Sequence, residues 1–240
     1  MDFCSYLTDI VTDKWYVFQE ICIASFPHIL SLSSGCRIVN SHRLQVATVS
    51  QTFPCFLPNA DSSVCIVFSS LQGIPEIDVP SFTDSLTFDN CFHHSKRQTA
   101  YFGDYSYHYS STYHTPSPLS ANTIVQKCIS TLNKTFPGTG LNSVLVNYYP
   151  DARAMIPFHA DDETDICNDS YIFTLSIGTT REMTFRNIDN KQHLLKLALS
   201  HRSLICFSKS SQSLYEHAVL AGTPQDITGP RISLTFRKLR

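Results

Sequence analysis

Apolar residues in the second half of this 240-residue chain recur with two different periods. From residue 120 to about 136 the period is that of a helix. Ile124, Val125, Cys128, Ile129, Leu132 and Phe136 have the three- and four-residue spacing that lays side chains along one face. Ser120 is the expected N-cap, because its hydroxyl can accept from the open N–H groups of the first turn. Pro137 and Gly138 end the segment. Beyond them the period falls to two. Val144 and Val146 open a strand that reaches Tyr149. Phe173, Leu175 and Ile177 alternate with Ile172, Thr174 and Ser176, and Met183 and Phe185 with Glu182, Thr184 and Arg186. Residues 203–207 form a short strand, and Ile232, Leu234 and Phe236 alternate with Ser233, Thr235 and Arg237. Successive side chains of a strand point to opposite faces, so each segment has a distinct polar side. One helix followed by many short strands predicts a mainly β domain with flanking helices, a sandwich or barrel. The alternating strand–helix pattern of nucleotide-binding α/β folds is absent.

The first 95 residues follow neither period and are read as an N-terminal extension of unknown role, with the domain at residues 96–240. An apolar run over residues 15–26 predicts a helix that stops at Pro27. Short apolar runs such as 64–68 are broken by Pro54, Pro58, Pro75 and Pro80, a pattern of short strands and turns or of a loosely ordered extension. From residue 96 the text changes. Tyr101, Tyr105, Tyr107, Tyr109 and Tyr113 crowd into thirteen residues, and in an extended backbone Tyr105, Tyr107 and Tyr109 share one face.

Composition narrows the picture. A hydrophobic fraction of 42% is enough for a packed core. Eighteen basic against twenty acidic residues, a net charge of −2, argue against holding nucleic acid by bulk electrostatics alone, though a local basic groove is compatible. Nine cysteines without a C-x-x-C pair resemble neither a disulfide scaffold nor a zinc ribbon. They read as reduced thiols in a cytoplasmic protein. No run of about 18 apolar residues predicts a membrane span, and the N-terminus lacks the basic and apolar regions of a signal peptide.

Two segments carry chemistry. His159-Ala160-Asp161 places an imidazole and a carboxylate two residues apart, on one side of an extended chain. Two histidines and one carboxylate on one face of an iron ion form the ligand set of non-haem Fe(II) oxygenases. Alone the tripeptide is weak, because ten histidines yield an H-x-D by chance about half the time. The second segment, residues 231–237, puts Arg231, Ser233, Thr235 and Arg237 on one face. Inside a barrel, such a face describes a site for an anion. Six residues of strand span about 20 Å, so the two arginines cannot both grip one end of a small diacid.

Taken together, these segments resemble the AlkB family of 2-oxoglutarate dioxygenases. Asn147-Tyr148-Tyr149 resembles its N-x-Y. Pro157-Phe158-His159-Ala160-Asp161-Asp162-Glu163 resembles its H-x-D region. His217, 58 residues beyond His159, has the spacing of its distal histidine. Residues 231–237 resemble its R-x-x-L-T-F-R strand, and Tyr101-Phe102-Gly103-Asp104-Tyr105 resembles the segment forming its nucleotide lid. The motifs keep the family's order across residues 96–240. The H-x-D-D-E variant and the closing Gly229-Pro230-Arg231 look most like AlkB domains of plant RNA virus replicases. The resemblance implies a double-stranded β-helix (jelly-roll) core, with Fe(II) held by His159, Asp161 and His217. It implies a salt bridge from Arg231 to the far carboxylate of 2-oxoglutarate, hydrogen bonds from Asn147 and Tyr149, and Arg237 near the metal end. The implied reaction uses dioxygen and 2-oxoglutarate to demethylate N-alkylated bases of single-stranded RNA or DNA, such as 1-methyladenine and 3-methylcytosine, releasing succinate and formaldehyde. A viral origin would place the chain in the host cytoplasm, within a larger replication polyprotein.

Other readings stay open at this point. The tyrosines either pack a sheet edge or, as Tyr105 and Tyr107 suggest, hold an unstacked base. Glu163 either accepts from a base amine or is a solvated acid. His193 and His201 lack partners in the sequence and read as ordinary. A protein side-chain hydroxylase would share the metal triad, and a catalytically silent RNA-binding module would share the fold.

Overall fold

The computed structural model describes residues 71–240 except 72, 89, 93, 94, 110 and 111, preceded by the backbone of three strands. The helix expected over residues 15–26 lies outside the described residues. The strands are β1 (Arg37–Ser41), β2 (Leu44–Val49), β3 (Val64–Phe68), β4 (Asn90–Phe92), β5 (Arg97–Gly103), β6 (Tyr107–Tyr109), β7 (Thr112–His114) and β8 (Ser143–Tyr149). They continue as β9 (Ile156–His159), β10 (Tyr171–Gly178), β11 (Arg181–Asn187), β12 (His193–Leu199), β13 (Leu204–Ser208), β14 (Tyr215–Val219) and β15 (Arg231–Arg237). Among the described residues two α-helices join them, α1 (Val79–Asp84) and α2 (Thr123–Thr135).

From β8 onward the chain passes back and forth between two sheets, antiparallel except where β2 and β3 pair in parallel. The larger has the order β1-β2-β3-β13-β10-β15-β8-β5-β4, the smaller β12-β11-β14-β9. This interleaving of β8 to β15 is the expected jelly roll. Along β15 the period-two pattern acts as anticipated. Ile232, Leu234 and Phe236 enter a core shared with Val125, Cys128, Ile129 and Leu132 of α2, while Arg231, Ser233, Thr235 and Arg237 line a pocket between the sheets. Every residue of β15 is buried, because α2 covers one face of the larger sheet and the smaller sheet covers the other. Between β10 and β11, Gly178 adopts φ +92°, and a Cβ there would lie 2.5 Å from the carbonyl oxygen of Pro230. Only glycine lets this turn close against the start of β15.

Two expectations change. The cap of α2 is Asn122, whose Oδ1 accepts from the backbone N–H of Ile124 and Val125; Ser120 lies in a preceding 3-10 turn, Leu119–Ala121. The line drawn at residue 96 also cuts through both sheet and core. β3 pairs with β13, β4 pairs with β5, and Leu71, Ile74, Ile77 and Phe82 join the α2 core. The prolines concealed this. Pro80 occupies the first turn of α1, where its missing N–H costs nothing, and Asp78 caps that turn by accepting from Ser81 N–H at 3.0 Å.

Candidate active site

The pairing of β9 with β14 is irregular. His159 stands opposite His217 and Ile156 opposite Val219, so three steps along β9 face two along β14. Such a bulge re-aims side chains. Ile156 and His159 both face the pocket between the sheets, with His217 and Val219, and Pro157 turns outward, exposed. His159 Nδ1 lies 2.8 Å from the carbonyl oxygen of Pro157. A carbonyl only accepts, so Nδ1 carries the proton and Nε2 keeps its lone pair. That Nε2 is 3.5 Å from Asp161 Oδ1.

Asp161 is 1% exposed. Burial opposes its charge, but the surrounding Arg237, His159 and His217 outweigh that and hold the carboxyl well below the usual carboxylate range. Oδ2 accepts from Arg237 Nη2 at 2.7 Å, and Oδ1 has no hydrogen-bond partner. The loop bearing Asp161 is pinned from a 3-10 turn, Lys209–Ser213. Gln212 Oε1 accepts from Asp161 N–H at 2.9 Å, and Lys209 Nζ donates to the carbonyls of Asp161 and Glu163. Burial, with His159 alongside, pushes the His217 imidazole down to about 3, so it is neutral near pH 7. Its ring centroid is 4.3 Å from that of His159. Ligand atoms of His159, Asp161 and His217 all lie within 4.8 Å of one another. Two imidazoles that keep lone pairs and one carboxylate oxygen without a proton donor fit a divalent iron ion.

The other end of the pocket is cationic. Arg231 is 1% exposed. Its Nη2 donates to Ser176 Oγ at 2.8 Å, Nε and Nη1 have no acceptor, and no carboxylate pairs with it among the described residues. A buried guanidinium without a counter-charge is costly, so the site fits an anion. Tyr149 stacks beneath it, 5.0 Å from ring centroid to Cζ. Asn147 faces the same pocket. Its Oδ1 accepts from the buried Arg97, which leaves the amide N–H groups as the part that can donate to a carboxylate. Arg231 and Arg237 begin and end one strand, so a diacid reaching from the metal toward Arg231 meets one arginine at each end.

The predicted base-binding tyrosines separate. Tyr105 is 48% exposed, whereas Tyr107 is fully buried. Tyr107 packs 5.6 Å from the Tyr101 ring, with the Arg237 guanidinium 5.3 Å from its own ring centroid. It has no open face for a base. It instead walls the Arg237–Asp161 pair, with its hydroxyl against Glu163. Glu163 is no solvated acid, since burial and the neighbouring Asp161 charge raise its pKa. Tyr109's side chain lies outside the described residues, and Tyr113 is exposed. His201 is remote from the site, its Nε2 near Glu76. The supports from Lys209 and Gln212 carried no motif. Only their burial and partners reveal them.

A family model described as the 2OG-Fe(II) oxygenase superfamily matches residues 81–237. The chain is similar to the DNA oxidative demethylase ALKBH2 of Bos taurus, at 28% identity over 68% of this chain and 62% of that protein. It therefore spans less than two thirds of that relative. It is also similar to the alpha-ketoglutarate-dependent dioxygenase alkB homolog 3 of Homo sapiens, at 27% identity over 95% of this chain and 79% of that one. A solved structure, OsALKBH1, aligns with a TM-score of 0.44 at 19% identity, covering 59% of this chain and 78% of that one.

Proposed function

Because this chain belongs to the 2OG-Fe(II) oxygenase superfamily, we propose that it is a 2-oxoglutarate-dependent dioxygenase that oxidatively demethylates N-alkylated nucleic acid bases. The observation that carries this reading is one pocket with the His159–Asp161–His217 cluster and Arg237 at one end and the uncompensated Arg231 at the other. The names of its relatives, a DNA oxidative demethylase and an alkB homolog, support the nucleic acid as substrate class.

Iron(II), bound by the triad, would supply the oxidising chemistry with dioxygen and 2-oxoglutarate. The chain's own residues bind and orient. Arg231 takes the distal carboxylate of 2-oxoglutarate, with Tyr149 and the Asn147 amide beside it. Arg237 keeps Asp161 ionised and oriented, and His159 is locked by Pro157 in the tautomer that leaves Nε2 available. Overall, one methyl group is hydroxylated as 2-oxoglutarate becomes succinate and carbon dioxide. The hydroxymethyl product then releases formaldehyde and the bare base.

Within that class, we infer that the substrate is single-stranded RNA bearing 1-methyladenine or 3-methylcytosine. We also infer that the chain acts in a host cytoplasm as part of a larger viral replication polyprotein, as its sequence resemblance suggests. Methylation at those ring nitrogens leaves a cationic base, attractive to an electron-rich ring. Tyr105, half-exposed, and Tyr113, more so, are available for stacking. A single strand also avoids the cost of unpairing. The test loads the protein with Fe(II) and 2-oxoglutarate under anaerobic conditions, admits oxygen, and follows methylated oligonucleotides by mass spectrometry. Replacement of the N-methyl group by hydrogen, a net loss of one CH2 per demethylated base, with formaldehyde release, is expected. Tyr105→Ala should slow demethylation while sparing substrate-free turnover of 2-oxoglutarate. Turnover of 2-oxoglutarate with every methylated oligonucleotide left intact would move the reading to a protein side-chain hydroxylase.

A further inference from the structure

The two histidines lie on strands that their backbone pairing holds weakly. β9 has four residues, lies at the edge of the smaller sheet, and meets β14 at two register positions on either side of the bulge. The ladder alone therefore fixes His159 poorly against His217. We propose that β11 clamps these two strands from the outer face of the sheet through Arg186, and that Arg186 is a positioning residue for the metal centre. The proposal rests on the reading of His159, Asp161 and His217 as metal ligands.

The residue immediately before each histidine meets this one arginine. The Arg186 guanidinium lies 3.8 Å over the ring of Phe158, and its Nε donates to Glu216 Oε2 at 2.7 Å. Lys191 Nζ donates to the other carboxylate oxygen, Oε1, at 3.0 Å. Arg186 also follows Phe185, whose ring centroid is 5.9 Å from that of His217. The opposite end of the strand pair is tied to β11 as well. Arg181 Nη2 donates to the carbonyl of Ala154 at 2.9 Å and of Leu220 at 2.7 Å; Ala154 lies just before β9 and Leu220 directly after β14. Planar stacking and a directed ion pair fix position more closely than charge alone.

The experiment titrates Co(II), as a spectroscopic probe for the divalent site, into metal-free protein and follows its visible ligand-field absorption, alongside thermal melting of the same metal-free samples. Arg186→Ala should weaken Co(II) binding about tenfold or more, the range seen when a partner of a metal ligand is lost. Arg186→Lys should recover part of that, and Glu216→Gln, which keeps the stacking, should lose less. The control is Lys196→Ala. Its ion pair with Glu182, 2.8 Å on the same face, joins β11 to β12 and does not touch β9 or β14. That variant should bind Co(II) as wild type does and, because the pair is exposed, should shift melting little. Wild-type Co(II) affinity in Arg186→Ala, or equal weakening by Lys196→Ala, would overturn the clamp and leave the metal site standing. If the wild-type chain gives no ligand-field absorption, the metal assignment falls and the clamp falls with it.

Discussion

Arg237 and Asp161, 76 positions apart in the chain, share a 2.7 Å hydrogen bond at 4% and 2% side-chain exposure. The pair explains how one carboxylate can be buried, ionised and still offer an oxygen to a metal: Oδ2 is neutralised by the guanidinium and Oδ1 is not. Removing one member of a buried ion pair typically costs about 3–5 kcal/mol, because the other charge is stranded. Arg237→Met should therefore melt well below wild type and lose at least tenfold in Fe(II) affinity, measured by equilibrium dialysis. Wild-type metal affinity in this variant would show that Asp161 orientation does not depend on the pair.

Arg231 presents the opposite situation, a buried cation whose countercharge is expected to be the cosubstrate. Arg231→Ala should raise the apparent KM for 2-oxoglutarate by about one to two orders of magnitude, since a charge-assisted contact of roughly 1.5–3 kcal/mol is lost. Arg231→Lys should restore only part, because an ammonium lacks the paired donors. Fe(II) affinity should change little in either variant. An unaltered KM for 2-oxoglutarate in steady-state assays of Arg231→Ala would place the anion elsewhere.

Cys128 gives a pH prediction away from the site. Burial in the α2 core pushes its thiol up to about 12. A folded-state pKa above the unfolded one means that the folded chain holds the proton longer. The stability from this group is thus complete below about pH 9 and lost as pH rises from there toward 12. Cys128→Ala should flatten the alkaline decline in melting temperature over that window. In the native chain at pH 9, iodoacetamide followed by peptide mass spectrometry should find Cys128 unmodified, and in urea alkylated.

A fragment of residues 96–240 should not fold independently. It lacks the β3 partner of β13 and the side chains of Leu71, Ile74, Ile77 and Phe82. Each such buried apolar side chain contributes roughly 1.5–3 kcal/mol, together comparable to a domain's whole stability. Circular dichroism and denaturant titration of that fragment, against one beginning near residue 60, would decide the matter. A cooperative transition in the shorter fragment would restore the boundary at residue 96.

The sequence alone determined what depends on local period and residue chemistry. The alternation along residues 231–237 placed two arginines and two hydroxyls on one face, because a strand turns its side chains over at every residue, whatever it pairs with. The α2 stripe and the β8, β10 and β11 segments were legible for the same reason, whereas His159, Asp161 and His217 were legible through the family resemblance, His217 by its spacing of 58 residues from His159. What neighbours dictate was not legible. Tyr105 and Tyr107 have equivalent positions in the sequence pattern, yet one is half-exposed and the other enclosed, since burial depends on which strand lies across. The bulge that turns both Ile156 and His159 inward arises only when β9 meets β14. Gln212 reaches Asp161 across 51 positions and Arg97 reaches Asn147 across 50. No spacing rule encodes such contacts, because a folded chain sets distances in space and a sequence sets them only along the backbone.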